Sequence, residues 1–548
     1  METTSSSPFK PRQKDKDEDT REEDDAPAAA VAVEHMDTSG EPQKKLLRLS
    51  ETFEKPQAVK EVRLNDTYQQ RELTEWLQSA WTNEKTETKE KQTGAQVFGD
   101  PFQICLLPEM LVQGQSQSLV AEITQKVQWS RKQMDLYEFY QSTDLSNMPN
   151  CRLLTNFLQV LRKQVRPWLE KVTGLKLDYV SASCSMYTCG DYLLVHDDLL
   201  KDRQVAFIYY LTPWEGAEEW TDAQGGCLEI FPSDEQCFPQ FPVQRKIAPK
   251  DNQFAFFKVG SRSFHQVGEV TTFDYPRLTI NGWFHGETNE AFVADSLRAF
   301  PRLRYLPPDN INQPPLGLLL NNVYLKSATR RSIQKRIEEN SEICLYEFFK
   351  RERFEMARSQ LMADSNTLKW RRQGPANAHN YEVLDLSTAK GTIQELLQLF
   401  RSHAMFDLLR DFTDLDLAGS DADQPTCSVE IQRWSHGNYT VLGDGLVSEE
   451  NTLDLVYYLN AADGAAVITY LSPDSELPEE KAPGASRRME SEGEDEEDES
   501  VLLTITPVDN ALNIVYRCEG TTKFTKYVSC NTPLEKGPVF VISCSYKE

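Results

Sequence analysis

Two imidazoles, a carboxylate and a guanidinium stand in this chain at spacings that could assemble a metal centre. His196-Asp197-Asp198 sets an imidazole and a carboxylate two residues apart. Apolar and aromatic residues recur with period two on either side, from Ser183 to Val195 and from Arg203 to Leu211. Two strands joined by a polar hinge are expected, with His196 and Asp198 on one face through simple strand alternation. By itself the pair is a weak signal: with 7 His and 85 Asp plus Glu in 548 residues, His-x-Asp/Glu should arise by chance about once. The chain holds three such pairs. His35-Met-Asp37 lies in a charged, Ala-rich tail, and His285-Gly-Glu287 is expected to follow the last core strand, away from any metal.

The case rests on what comes later. A run of strand-like segments leads to Ser263-Phe-His265-Gln-Val267, and twelve residues past His265 the segment Arg277-Leu-Thr279-Ile-Asn-Gly-Trp283-Phe opens another strand. His196, Asp198 and His265 make a two-His-one-carboxylate set, the ligand pattern that leaves positions open in non-haem Fe(II) oxygenases. A 2-oxo dicarboxylate would chelate two of those positions, and its far carboxylate would need a fixed cation, for which Arg277 offers a planar bidentate fork.

The order His-x-Asp, distal His, Arg-x-Thr resembles the Fe(II)/2-oxoglutarate dioxygenases, which implies a double-stranded β-helix core. Finer marks narrow the resemblance to the ribosomal prolyl 3-hydroxylase branch. They are Tyr187 nine residues before His196, Tyr210 fourteen after it, Gly225-Gly-Cys-Leu-Glu-Ile-Phe231, and Arg277-Leu-Thr-Ile-Asn-Gly-Trp-Phe-His285. The similarity runs through Val97-Phe-Gly-Asp-Pro-Phe102 and Asp135-Leu-Tyr-Glu-Phe139 into the C-terminal half, about nine tenths of the chain.

The resemblance implies iron on His196, Asp198 and His265, 2-oxoglutarate and O2 as co-substrates, and ascorbate as reductant. It implies hydroxylation at C3 of a proline in a small-subunit ribosomal protein of the decoding centre, with release of succinate and CO2 and an effect on translation and its termination. Arg277 would pair with the distal carboxylate, Thr279 would add a hydroxyl, and Tyr187 and Tyr210 would donate phenolic hydrogen bonds. Core packing stays open as the role of both tyrosines and of Thr279, and Trp283 would wall the pocket. Two further readings stand beside this one. One is hydroxylation of another prolyl or lysyl target. The other is a scaffold sensing O2 or iron that recruits translation or transcription factors through its C-terminal domain.

Stepping outward, the whole chain must supply the elements that hold these groups. Its length allows two or three domains. The fold class expected is α+β: two tandem double-stranded β-helix domains, jelly-roll or cupin-like, with supporting helices, the second lacking metal ligands. The expected divisions are a disordered acidic tail over 1–55, a catalytic domain over 56–290, a Pro-rich linker over 291–318 and a non-catalytic domain over 319–548 with a disordered acidic loop over 476–500, where Glu490 to Glu499 holds eight acids in ten residues. Leu119, Ile123 and Val127, and then Phe157, Leu161, Val165, Trp168 and Val172 before Gly174, predict helices against the sheet. In the second half a capping-box helix is expected from Thr392-Ile-Gln-Glu395 to Phe412.

The second half reads as a repeat of the first. Leu455-Val-Tyr-Tyr-Leu459 mirrors Phe207-Ile-Tyr-Tyr-Leu211, Leu503-Thr-Ile-Thr-Pro507 mirrors Glu229-Ile-Phe-Pro232, and Gly443-Asp444-Gly445 takes the His-x-Asp position. Lys526 is set in the place of His265 and Val539 in that of Arg277. His379, His403 and His436 read as surface or packing residues.

A net charge of −26 disfavours sequence-specific nucleic-acid binding and suits a basic polypeptide partner such as a ribosomal protein, with translation factors as further candidates. Eleven Cys without a Cys-x-x-Cys pair argue for reduced core residues rather than a disulfide scaffold or zinc ribbon. The start Met1-Glu-Thr-Thr-Ser has no apolar h-region, Lys10-Pro-Arg-Gln-Lys-Asp-Lys16 reads as a solvated charge run, and no apolar run of about 18 residues occurs. A cytoplasmic and nuclear monomer, off the membrane, is the expectation.

Overall fold

Leu154, Phe157, Leu158, Leu161, Val165, Leu169 and Val172 recur at helical spacing, and all are buried along one stripe. They form helices Arg152–Val160 and Arg166–Thr173, joined by a π turn over Leu161–Val165. The wider turn has a local cause: Pro167 has no N–H to return to the carbonyl four residues back. Gly174 closes the second helix at φ +74°, its N–H bonding the Glu170 carbonyl, as the glycine in the sequence predicts.

The chain is seen here as a computed structural model describing residues 59–83, 87–212, 219–289, 291, 304–308, 315–363, 367–417, 425–441, 450–472 and 501–547. The tail over 1–55, the acidic loop over 476–500 and Gly443-Asp444-Gly445 lie outside these residues. Among the described residues no helix is long and apolar enough to cross a membrane, and the eleven cysteines are free thiols.

In the first half the strands are β1 (Thr88–Lys89), β2 (Gln96–Phe98), β3 (Ile104–Leu107), β4 (Ser130–Gln133), β5 (Tyr137–Asp144), β6 (Tyr179–Tyr187), β7 (Tyr192–His196), β8 (Arg203–Tyr210), β9 (Leu228–Ile230), β10 (Arg245–Ile247), β11 (Phe254–Lys258), β12 (His265–Val267) and β13 (Arg277–His285). They pair antiparallel in the order β1-β2-β3-β11-β8-β13-β6-β5-β7-β12-β9-β10, with β4 on β5. Residues alternate along β6, β8, β11 and β13. One set, including Cys184, Phe207, Phe256 and Ile280, packs on the helices. The other set faces back across the roll, where Ala206, Ile208, Tyr210 and Phe257 meet Leu228, Ile230 and Ile247. This is a jelly roll: two walls of antiparallel strands enclosing a narrow interior, with helices behind one wall.

The expectation of two strands from Ser183 to Leu211 is corrected to three, because Gly190 at φ +93° turns the chain between β6 and β7. Nor does simple alternation bring His196 and Asp198 together, since β7 ends at His196 and Asp198 lies in the turn beyond it, at φ +61°. His285, expected beyond the last strand, is its final residue.

The second half contains β14 (Glu342–Leu345), β15 (Trp370–Gln373), β16 (His379–Leu384), β17 (Cys427–Trp434), β18 (Tyr439–Thr440), β19 (Thr452–Leu459), β20 (Ile468–Leu471), β21 (Val501–Ile505), β22 (Leu512–Arg517), β23 (Thr522–Thr525) and β24 (Val539–Lys547). One sheet runs β14-β22-β19-β24-β17-β16-β15 with β18 on β16, and a smaller one runs β21-β20-β23. Leu455, Tyr457, Ile514 and Ile542 pack on helices, while Val456, Tyr458, Val515 and Val541 face Ile468, Tyr470 and Ile505 of the smaller sheet. The single helix expected from Thr392 to Phe412 is instead two, Gly391–Phe400 and His403–Thr413. No capping box forms at Thr392, which lies inside the first; Ser402 caps the second, accepting from the Met405 N–H. Within the stretch expected as a linker, Leu306 exchanges both backbone hydrogen bonds with Cys427.

Local details recur between the halves. Asn252, at φ +58°, accepts from the Leu111 N–H and the Tyr209 hydroxyl and donates to the Leu111 carbonyl, each at 2.9 Å. Asn510, at φ +57°, does the same for Phe349 and Tyr457 at 2.9–3.1 Å. Gly268 N–H bonds Cys227 O, and Lys526 N–H bonds Val467 O; Val270 and Asp191 pair as Val528 and Asn438 do. Counting back three residues sets Lys523, not Lys526, where His265 stands, and aligns β20 rather than β21 with Leu228–Ile230. The ladder decides this, because residue types across the gap do not carry the register.

Asn252→Ala would strand two backbone groups and a phenol in the core. At about 1–3 kcal/mol for each unsatisfied group, the loss should be about 3 kcal/mol or more, read as a lower urea midpoint, with a similar loss for Asn510→Ala.

Candidate metal centre

His265 lies directly opposite His196 in the β12–β7 pair, while Val267 lies opposite Leu193. Two steps on one strand answer three on the other, so β7 carries a bulge at Leu194–Val195. The bulge returns His196 to the interior face that Leu193 also shares. Its ring Nδ1 is 2.7 Å from the Leu194 carbonyl, and the His265 Nδ1 is 2.8 Å from the Ser263 carbonyl. A ring whose Nδ1–H donates to a carbonyl keeps the Nε2 lone pair free, and in both cases Nε2 faces Asp198.

Asp198 completes the set. The His196 and His265 Nε2 atoms are each 3.5 Å from one of its carboxylate oxygens, and the ligand atoms of the three residues all lie within 4.8 Å of one another. No other group of this kind occurs among the described residues. The left-handed turn at Asp198 is built by its neighbours: the Asp197 carboxylate accepts from the Leu199 N–H at 3.0 Å, and the Ser263 hydroxyl donates to the Asp197 carbonyl at 2.7 Å. Ser263 thus ties the two ligand-bearing segments together.

Electrostatics keep Asp198 and His265 in ligating form. Burial pushes the Asp198 carboxyl up, but the imidazoles of His196 and His265 and the Arg203 guanidinium outweigh it and hold it below the usual range. Burial, together with His196, brings His265 down to about 4, so its imidazole is neutral at physiological pH. Arg203 Nη1 is 3.6 Å from Asp198 Oδ1, and its guanidinium stacks 3.5 Å over the Trp283 ring.

Arg277 is 1% exposed and pairs in register with Tyr187. Its guanidinium carbon is 5.1 and 5.3 Å from the Tyr187 and Tyr210 ring centroids. Gly226 makes room for it, since a Cβ there would come within 3.1 Å of Arg277 Cδ. Among the described residues Arg277 Nε and Nη2, the Tyr210 hydroxyl, Ser185 Oγ and Thr212 Oγ1 have no hydrogen-bond partner. A buried guanidinium without a counter-anion is costly unless the site receives one, so these donors fit a bound carboxylate. Burial pushes the Tyr210 phenol up to about 12 against the pull of Arg277, and raises Tyr187 as well, leaving both protonated to donate.

Of the candidates read from sequence, His196, Asp198 and His265 form the cluster and Arg277 lies against Tyr187 and Tyr210, with Tyr187 within electrostatic reach of both Arg277 and Asp198. Thr279 pairs in register with Tyr210 and Ser185, with its hydroxyl 3.3 Å from Asn281 Oδ1. Tyr187 also packs, stacked on Phe139 with ring centroids 4.8 Å apart. Ser185, Thr212, Ser263 and Arg203 were not among those candidates. For Ser185 a signal existed, since it stands two residues from Tyr187 on the same face of β6. His285 is not at the cluster; it bridges Ser181 Oγ at 2.8 Å and Asp202 at 3.0 Å.

In the second half, Lys523 fills the place of His265 and pairs with Asp454 at 2.6 Å. Ser545 and Tyr470 also donate to this fully buried carboxylate, at 2.8 and 3.3 Å. Burial pushes Asp454 up, but Lys523 and Arg517 outweigh it and hold it at about 2.

Comparisons with known proteins agree with this chemistry. Residues 182–285 match the family described as 2OG-Fe(II) oxygenase superfamily, and residues 312–548 match that described as oxoglutarate and iron-dependent oxygenase degradation C-term. The chain is 83% identical over 549 residues to prolyl 3-hydroxylase sudestada1 of Drosophila melanogaster, covering all of both. It is 32% identical to prolyl 3-hydroxylase OGFOD1 of Xenopus laevis, over 73% of this chain and 77% of that one. To the Mus musculus OGFOD1 it is 29% identical, over 80% and 87%.

Removing a ligand and removing its support should differ in size. Arg203→Ala should weaken Mn(II) binding about ten- to a hundredfold, the usual range for a group acting through a ligand. His196→Ala, Asp198→Ala or His265→Ala should abolish it, with the far-UV spectrum unchanged; calorimetric titration measures both.

Proposed function

The chain belongs to the prolyl 3-hydroxylase family of Fe(II)/2-oxoglutarate dioxygenases, and from that premise we propose that it hydroxylates C3 of a proline in a small-subunit ribosomal protein near the decoding centre, affecting translation and its termination. The observation that carries the reading is the buried Arg277 guanidinium, with two N–H groups unpartnered, beside a His-Asp-His cluster in an oxygenase roll.

His196, Asp198 and His265 hold Fe(II), and the Leu194 and Ser263 carbonyls fix the tilt and tautomer of the two rings. Arg203 steadies the Asp198 carboxylate. Arg277 takes the distal carboxylate of 2-oxoglutarate as a charge-assisted pair, and Tyr210, Ser185 and Thr279 complete its donors, with Tyr187 walling and donating at one side. Bound iron, 2-oxoglutarate and O2 supply the oxidation of an unactivated C–H bond, coupled to release of succinate and CO2. The roll keeps bulk water out of a site whose working charges are buried. Ascorbate serves as reductant, and the protein works as a monomer in cytoplasm and nucleus.

A net charge of −26 favours a basic polypeptide substrate over nucleic acid. The C-terminal half is read as a non-catalytic duplicate of the first roll. Supporting this are Lys523 and Val539 at the positions of His265 and Arg277, and an Asp454 carboxylate already neutralised from within the chain.

Mass spectrometry of ribosomal proteins from cells with and without this protein should reveal a proline heavier by one oxygen atom only when it is present. If no such proline depends on it, the substrate lies elsewhere, among other prolyl or lysyl targets. Arg277→Ala should raise the 2-oxoglutarate requirement about a hundredfold or more, the loss typical of breaking a buried charge pair, while Mn(II) affinity stays near wild type.

A further inference from the structure

The wall that carries both imidazoles is built from short strands. β7 has five residues and β12 and β9 three each, whereas β6 and β13 have nine. So few ladder bonds hold a register weakly unless the outer face is covered. The helices lie behind the other wall. Here the cover is the C-terminal half: Tyr192 and Leu194 pack with Tyr439 and Val441, and Val195, Phe231 and Phe264 pack around Ala376. Val195 and Phe264 directly precede His196 and His265 in the chain.

The junction is not packed throughout, since a cavity of about 620 Å³ remains between the halves, bordered by Leu194, Gln266, Glu269, Arg372 and Tyr439. At its edge sits a polar clasp. The Glu269 carboxylate accepts from Ser529 Oγ at 2.6 Å and the Cys530 N–H at 2.8 Å through one oxygen, and from the Tyr527 hydroxyl at 3.2 Å through the other. Glu269 follows His265 by four residues. The Tyr527 ring stacks on Tyr192, at the head of β7, with centroids 4.1 Å apart. Lys526 reaches Glu138 of β5, the residue that pairs with Tyr192, at 3.6 Å. Gly190, just before β7, lies so close to Asn531 that a Cβ would come within 2.6 Å of its Nδ2. One segment, Lys526 to Asn531, thus grips the chain beside both imidazole-bearing strands.

We propose that Glu269 is a positioning residue, the clasp through which the C-terminal half holds β12 and β7 in the bulged register that brings His265 opposite His196. The proposal rests on the reading of His196, Asp198 and His265 as the metal site. It assigns the second half a mechanical share in that site: back wall rather than appendage. The hydrogen bonds of the Glu269 carboxylate do not reach β13 or Arg277, and the Glu269 carbonyl, which accepts from the Gly226 N–H beside Arg277, is unchanged by a side-chain substitution.

The test uses the full chain, with Mn(II) as the probe. Glu269→Ala should weaken Mn(II) binding about tenfold, as loss of an outer-shell group does. It should also speed amide exchange in β7 and β12, and leave the 2-oxoglutarate KM at saturating iron unchanged. Glu269→Gln, whose one amide oxygen still accepts from Ser529 and Cys530 while its NH2 can donate to the Tyr527 hydroxyl oxygen, should recover most of the affinity; Tyr527→Phe, removing one donor, should fall between. Wild-type Mn(II) affinity in Glu269→Ala, or faster exchange spread evenly over β13 as well, overturns the proposal. Wild-type binding that survives His196→Ala would instead overturn the metal-site reading, and the proposal with it.

Discussion

A single irregular register, three residues of β7 answering two of β12, governs this structure. With a regular pairing, the imidazole of His196 would point to the outer face occupied by Leu194, because side chains alternate at every step. The bulge sends Leu194 and Val195 outward in succession and returns His196 to the interior opposite His265. Asp198 then reaches both Nε2 atoms only because the chain turns left-handed beyond the strand end, a conformation held by Asp197 and Ser263. Both of these deviations lie where the three ligands converge, two from short strands and one from the turn between β7 and β8.

The two halves treat buried charge in opposite ways. In the first, Arg277 is kept in the interior with donors that no protein group satisfies, a state that gains from an incoming dicarboxylate. In the second, the comparable interior has its own salt-bridged carboxylate, Asp454 with Lys523 and Arg517, plus hydroxyls from Ser545 and Tyr470. A polar cluster that satisfies itself has no demand for a ligand, whereas an unsatisfied one does. Asn252 and Asn510 pin loops in the same way in the two halves, while the buried charge differs: Arg277 keeps unpartnered N–H groups and Asp454 is ion-paired.

The halves also depend on each other in packing. The outer face of the imidazole-bearing wall is apolar at Tyr192, Leu194, Val195, Phe231 and Phe264, and would be exposed if the first roll stood alone. The cover, supplied by the C-terminal half rather than a helix, leaves a partly open junction, and directional hydrogen bonds to Glu269 cross it at the edge of the cavity.

Ligand chemistry belongs to residue type, and the order of types along the chain singled out His196, Asp198, His265 and Arg277 as candidates, while Tyr187, Tyr210 and Thr279 were added by the family resemblance. Period-two apolarity and the glycine after Val172 likewise announced strands and a helix end, since those signals are local. The bulge at Leu194–Val195 and the left-handed Asp198 were not legible, because each trades local preference for a contact made by distant chain. Arg203 and Ser263 gained their roles only when a turn brought them against Asp198 and Asp197. The match of Lys523 rather than Lys526 to His265 was settled by ladder bonds that residue types do not encode. Composition and spacing determined which groups could do the chemistry. Tertiary structure alone decided how two strands were offset and what covered them, because pairings between residues hundreds apart, such as Tyr192 with Tyr439 and Tyr527, leave no periodic trace in a linear chain.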